Sequence, residues 1–301
     1  MPTIFRDPVT INGLEFNTRV PVDGALLFCD FMEGWDDSPE PRVEVSEFGY
    51  SDGVVAADRF PYKEKYIEFG GYVLSNGRLA ADKAKDLINK YIHPNVLMRL
   101  VRQGPIAKAM DVKLSSKIEI TSDIGDQGFR WVCRLMAPWP YKFSPTEQVL
   151  SAGVFSGGDF YREYDDATSG RVYDDATSGR VYVIDVEGGA GVADLVSMVN
   201  EGNADAYPTI IIRGPLLRNT WQLVNETTGE VQWFEIDLSS GVELTINNLQ
   251  QTATIGEQSV DYYLRGDWIR LIPGVNTLRL STAEDNPDAG ITVRGAHTWR
   301  N

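Results

Sequence analysis

YPTIIIRGPLLRNTWQLVNETTGEVQWFEIDLSSGVELTINNLQQTATI (207–255) decides the fold class of this chain. Five short runs rich in β-branched and aromatic residues follow one another here: 207–214, 219–226, 230–238, 242–247 and 252–256. The breaks between them include Thr228-Gly229 and Ser240-Gly241, and glycine supplies the positive φ that tight turns need. Three more runs continue the series: DWIRLI (267–272), NTLRLS (276–281) and ITVRG (291–295). Pro273-Gly274 and Asn286-Pro287-Asp288 punctuate them. Short strands at regular spacing, with no helical period between them, predict an antiparallel β-sandwich.

Upstream the pattern is strands with one helix, so the chain as a whole is mainly β. ALLFCDFM (25–32), RVEVSEF (42–48), EKYIEFGGYVL (64–74), IEI (118–120) and GFRWVCRLM (128–136) read as strands. In the last, Phe129, Trp131, Cys133 and Leu135 fall on one face, and Arg130 and Arg134 on the other, as a period of two requires. LAADKAKDLINKYI (79–92) is helical: Ala84, Leu87, Ile88, Tyr91 and Ile92 make one apolar stripe. Asn76-Gly77 turns the chain into it and Pro94 stops it. A lone amphipathic helix among strands packs on a sheet.

The 301 residues carry 43 acidic and 28 basic side chains, a net charge of −15. A general nucleic-acid binder needs a basic footprint to displace counterions, and this chain has none. The charge is uneven. Residues 1–150 hold 21 acidic and 18 basic groups, and residues 151–301 hold 22 and 10. Every lysine lies at or before Lys142. The break falls at PWPYKFSPTEQ (138–148), where Pro138, Pro140 and Pro145 cluster. The expected division is an N-terminal domain over 1–145 and a C-terminal sandwich over 146–301, since one core rarely serves a chain this long.

One repeat stands out: YDDATSGRV occupies 164–172 and recurs unchanged at 173–181. FYREY, RVY and RVYVI with two identical turns read as a small meander, a hairpin insertion over about 158–184. Asp165, Asp166, Asp174 and Asp175 fit solvated turns, and their spacing is not that of an EF-hand loop.

Residue types that carry chemistry are sparse. The two histidines are His93, at the helix end, and His297. Cys29 and Cys133 sit in apolar strand-like runs and read as buried, reduced thiols. Ser156 in GVFSGG lacks nucleophile-elbow spacing, and GGAG (188–191) lacks the Lys-Ser/Thr of a phosphate loop. No zinc, nucleotide or other cofactor motif is present, so a catalytic, cofactor or metal site is not expected. Carboxylate pairs for glycoside hydrolysis stay open, because their separation is a three-dimensional quantity. Trp221, Trp233 and Trp268 lie in strand patterns and read as core. No apolar run is long enough to insert in a membrane. MPTIFRDPVTING lacks the pattern of a secretory signal, which implies synthesis in a cytoplasm.

The order of cues in the second half resembles the C-terminal domain of the siphovirus distal tail protein family. The cues are a strand into Arg-Gly-Pro (213–215), Thr-Gly-Glu (228–230), a Gly-x-x-Leu-Thr-Ile-Asn run (241–247) and Leu-x-Pro-Gly-x-Asn (271–276). DGVVAADRFPYKEKYIEFGGYVLSNG (52–77) and the helix after it fit the family's N-terminal half, while the repeat has no counterpart there. The resemblance implies a ring-forming β domain followed by a galectin-like sandwich. It implies a structural protein of the virion tail tip, assembled in the host cytoplasm and not an enzyme. Its expected partners are itself, as a homohexameric ring, the tail tube protein, and a hub, tail-associated or tape measure protein. Segment 50–64 is the candidate subunit-interface arm, with Val54, Val55, Phe60 and Tyr62 as its apolar contacts, or else an ordinary surface loop. The rival functions are a carbohydrate-binding, host-recognising tail protein and a tail-associated hydrolase.

Overall fold

The computed structural model describes residues 7–43, 45–47, 54–56, 61–121, 127–153, 194–283 and 288–301. The repeat at 164–181, Ser156 and GGAG (188–191) lie outside the described residues. In chain order the first half gives β1 (Val9–Ile11), β2 (Leu14–Phe16), β3 (Ala25–Glu33), β4 (Val45–Glu47), β5 (Val54–Ala56) and β6 (Lys65–Ser75). Helix α1 (Arg78–Tyr91) precedes β7 (Met98–Gln103), β8 (Ala107–Leu114), β9 (Glu119–Thr121), β10 (Gly128–Ala137) and β11 (Lys142–Phe143). The second half gives β12 (Gln148–Gly153), β13 (Asp194–Asn200), β14 (Thr209–Arg213), β15 (Trp221–Asn225), β16 (Glu230–Phe234) and β17 (Glu243–Asn247). It ends with β18 (Thr252–Ile255), β19 (Gln258–Ser259), β20 (Leu264–Gly266), β21 (Gly274–Thr282), β22 (Gly290–Gly295) and β23 (Thr298–Trp299). The chain is mainly β, as expected. Among the described residues, no helix is long and apolar enough to cross a membrane.

In the first half, antiparallel strands run in the order β2-β1-β7-β8-β10-β6-β3. Strand β8 serves two ladders: Ala107 to Val112 pair with β7, then Lys113 and Leu114 pair with Met136 and Leu135 of β10. Side chains from both parts share one buried cluster, in which Phe16, Phe69 and Trp131 meet with ring centroids 5.0–5.6 Å apart. The alternation in β10 holds, with Phe129, Trp131, Cys133 and Leu135 all buried. Helix α1 packs on β6, β3 and β10 through Ala80, Ala81, Ala84 and Ile88. Its first residue follows Gly77, at φ 96°, and it stops before Ile92, which turns extended ahead of Pro94.

The glycine pair in β6 has a packing reason. Strand β3 bulges between Cys29 and Phe31, and the bulge presses on β6. A Cβ at Gly71 would collide with the Phe28 carbonyl, and one at Gly70 with the Phe31 ring. Glycine inside a strand commonly marks such a close approach. Asn17 secures the bulge from the other side: its amide accepts from Cys29 N–H at 3.0 Å and donates to the Cys29 carbonyl at 3.0 Å.

The second half is an antiparallel sandwich of two sheets, β12-β22-β14-β17-β18-β19 and β13-β21-β15-β16-β20. Ile210, Ile212, Leu244, Ile246, Ile291 and Val293 of the first face Val196, Met198, Leu223, Phe234, Leu278 and Leu280 of the second in one buried cluster. Trp221 is buried and stacks on Phe234. Trp233 and Trp268 are half-buried, and the outward Trp233 is paired with Arg265.

DWIRLI (267–272) is not a strand, contrary to expectation; Leu271 makes an isolated bridge to Ala206. Side chains take the place of its ladder. Ile269 N–H donates to Asn248 Oδ1, and Arg270 N–H to Glu230 Oε2, both at 2.9 Å. The Arg270 carbonyl accepts from Asn225 Nδ2 at 2.7 Å. Asn276, fully buried, accepts from Ile272 N–H and donates to the Ile272 and Gly274 carbonyls. The asparagine of Leu-x-Pro-Gly-x-Asn is thus the clamp of its own turn.

Two substitutions test this. Gly71→Ala should destabilise the protein by more than about 2 kcal/mol, because backbone must move. Asn276→Ala should cost about 2–3 kcal/mol through the buried groups left unpaired. Urea unfolding followed by circular dichroism measures both.

Candidate functional site

Within segment 50–64, residues 54–56 and 61–64 are described. Val45, Ser46 and Glu47 pair with Ala56, Val55 and Val54. At its base Pro41 bridges Tyr62, Lys63 N–H donates to the Glu40 carbonyl at 2.8 Å, and Arg42 N–H donates to that of Pro61 at 2.6 Å. Val54 and Val55 lie on β5, Tyr62 lies at the base, and Phe60 lies outside the described residues. The structure brings Tyr62 to the junction between the halves. There its ring meets Tyr141 edge-on at 5.8 Å, Tyr141 meets Trp139 at 4.9 Å, and Trp139 meets Tyr207 at 5.5 Å. The proline-rich stretch at 138–148 is packed with aromatics.

A short ladder reinforces this junction. Lys142 and Phe143 of β11 pair with Trp299 and Thr298 of β23, and Phe143 also pairs with Ala109 of β8. The last strand of the sequence thus joins the sheet of the first half. Thr298 N–H donates to Asn200 Oδ1, and Gly202 lies so close to Thr298 that a Cβ would collide with its carbonyl. His297 is enclosed here: its Nδ1 accepts from Glu201 N–H at 2.9 Å and its carbonyl from Ser144 N–H at 2.9 Å.

Beneath the ladder lies a charged knot that sequence reading did not find. Lys142 is 1% exposed, 3.3 Å from Asp36 Oδ1 and 4.8 Å from the Trp35 ring centroid. Lys65, also buried, donates to the Trp35 and Asp37 carbonyls. Arg102 donates through Nε to Asp7 and through Nη1 to Asp36, each at 3.0 Å. Burial lowers the Lys142 pKa to about 8, although Asp36 opposes the shift. Burial lowers that of Lys65 as well. Burial also disfavours the Asp36 carboxylate, but the bonds and charges of Arg102 and Lys142 outweigh it and its pKa falls. The residues meet only in three dimensions; a lysine beside Pro140 and Phe143 gives no local signal of burial.

Cys29 and Cys133 are buried free thiols, as expected. Burial raises both pKa values, that of Cys133 to about 12. His93 follows α1, and its Nδ1 accepts from Asn95 N–H. Among the described residues, no three His, Cys, Asp or Glu side chains converge to hold a metal ion.

Residues 201–295, most of the sandwich, match the family model of the siphovirus-type tail component, C-terminal domain. The whole chain is similar in structure to the Dit protein (gp 19.1) of phage SPP1, described as a paradigm of the hub adsorption apparatus in phages infecting Gram-positive bacteria. Identity is 13%, the TM-score is 0.57, and the match covers 97% of this chain and 98% of that one. Two phage P2 baseplate structures in the activated conformation, with Ca and with Sr, match at 11% identity, over 96% of this chain and 97% of theirs, with TM-scores of 0.49 and 0.48. No curated protein matches the sequence. The fold is thus that of a phage tail component. The resemblance to the siphovirus distal tail protein family read from the sequence is upheld, with residues 201–295 as its C-terminal domain.

Two outcomes follow for the buried groups. Between about pH 8 and 10.5 the unfolded chain keeps the Lys142 proton that the folded one has released. Stability gained at this site should therefore rise with pH across that window. Lys142→Met should remove that rise, as urea titrations at several pH values would show. A thiol-reactive dye should label neither cysteine in the native protein and both after denaturation.

Proposed function

We propose that this chain is a structural, non-enzymatic component of the tail tip of a long-tailed bacteriophage. In this reading it is a distal tail protein whose six copies form a ring between the tail tube and the baseplate hub or tail fibres. The observation that carries it is the coincidence of the family match at 201–295 with a fold likeness over 97% of the chain. Residues 1–145 act as the ring-forming domain, and residues 146–301 as a galectin-like sandwich that faces outward and carries the insertion at 158–184. A ring closes when one patch meets a different patch on the next copy at the right rotation. The hairpin arm with Val54, Val55, Phe60 and Tyr62 supplies one such patch. The partners are further copies of the chain, the tail tube protein, and a hub, tail-associated or tape measure protein. The protein is assembled in the host cytoplasm and resides in the virion. The excess acidic charge of residues 151–301 keeps the outer domain from holding nucleic acid.

A second reading, host glycan recognition, draws on exposed aromatics of the sandwich. Tyr262 is 66% exposed beside Tyr263, with ring centroids 4.0 Å apart. Glycan binding lost in Tyr262→Ala would favour it.

Light scattering tests the ring. The 33.5 kDa chain should assemble to about 200 kDa. Val55→Asp should leave a folded protein that fails to close the ring. A wild-type chain that stays monomeric at high concentration, even with the tube protein present, would falsify the reading.

A further inference from the structure

We propose that Asn76 is a site of spontaneous covalent modification, at which the folded chain converts its own asparagine to aspartate and isoaspartate. The reaction is intramolecular. The backbone nitrogen of the next residue attacks the side-chain amide carbon, and the new nitrogen–carbon bond closes a succinimide ring. The amide C–N bond breaks, and ammonia leaves with the proton of the attacking nitrogen. Water then opens the imide at either carbonyl, giving aspartate or isoaspartate. A glycine next in sequence favours the attack, because no Cβ hinders it. The sequence holds two such pairs, Asn12-Gly13 and Asn76-Gly77, and the structure separates them.

The first pair is restrained. Asn12 and Gly13 form the turn between β1 and β2, closed by the Ile11–Leu14 pair, with φ of 51° and 89°, the pattern of a type I′ hairpin. Asn12 N–H donates to the Arg99 carbonyl at 3.0 Å, and its side-chain amide donates to the Tyr91 carbonyl at 3.3 Å. Ring closure there must draw the amide off Tyr91 and swing the backbone out of the hairpin, so it waits on local opening.

The second pair is unrestrained at its reacting atoms. Asn76 is exposed, and its side chain makes no hydrogen bond among the described residues. The Gly77 N–H, which is the attacking group, makes none among them either. Space around Gly77 is open: a Cβ built there would meet nothing within 4 Å. The bond from Asn76 N–H to the Gly24 carbonyl, at 3.0 Å, involves neither reacting atom.

The two products differ in effect. Aspartate at this position sets a carboxylate just before α1, whose first turn holds no acidic residue and begins with Arg78, and negative charge suits a helix N-terminus. Isoaspartate adds a backbone carbon between β6 and α1, in the turn that brings Ala80 beside Gly24. The first product is tolerated, and the second loosens the helix from its sheet.

The test incubates the full chain at mildly alkaline pH, native and in concentrated urea, and follows each asparagine by peptide mapping with mass spectrometry. In the native protein Asn76 should convert about tenfold faster than Asn12, the advantage of breaking no hydrogen bond first. In urea the two should convert alike. Isoelectric focusing should show a band one charge more acidic, matching that of Asn76→Asp and absent from Asn76→Gln, whose longer side chain closes the ring poorly. Asn76 is exposed, so both variants keep the fold. Native conversion at Asn12 as fast as at Asn76, conversion at Asn76 in urea alone, or an acidic band that persists in Asn76→Gln overturns the proposal.

Discussion

Two residue pairs of a short ladder hold the molecule's halves in register: Lys142 with Trp299 and Phe143 with Thr298. Each half has its own buried cluster, and the clusters share no residue. What joins them is polar and aromatic: the ladder, the Tyr62–Tyr141–Trp139–Tyr207 ring chain, and the bonds around His297 and Asn200. Because β11 also pairs with β8 through Phe143 and Ala109, the ladder extends the main sheet of the first half. The site of Lys142 follows from this. Strand β11 lies between β23 and β8, and its Lys142 side chain is buried.

Burying an ammonium is costly unless partners meet it. Here Asp36 and the face of Trp35 do so, and Asp36 is held in turn by Arg102 and, through it, by Asp7. The knot links the first described residues of the chain, the loop after β3, the β7–β8 hairpin and β11. Its charges tie these segments together.

Much of this was legible in the sequence. β10 read correctly because a period of two repeats over nine residues, and α1 because its stripe is unbroken and its ends are marked by Gly77 and Pro94. The sandwich strands were legible because glycines fix their turns: Gly229, Gly241 and Gly274 all take positive φ. Strands β1, β2, β5, β11, β19, β20 and β23 were missed, being two or three residues long, and so were the six- to eight-residue strands β7, β8, β12 and β13. DWIRLI misled because its composition is that of a strand, while the backbone of Ile269, Arg270 and Ile272 bonds to asparagine and glutamate side chains that no local pattern announces. The charged knot was hidden for the same reason: Asp7, Asp36, Lys65, Arg102 and Lys142 are scattered through the first half and acquire meaning only when folded together.

The ladder between β11 and β23 also bears on mechanics. The covalent chain crosses between the halves at residues 144–148, and β23 crosses back beside it. The sandwich is therefore strapped twice along one edge. A sideways load on the sandwich stretches both straps together and cannot swivel it about a single peptide, so it reaches the first half as a tilt of the entire body. Such a joint passes on a push or a pull faithfully, which a flexible linker of equal length would absorb.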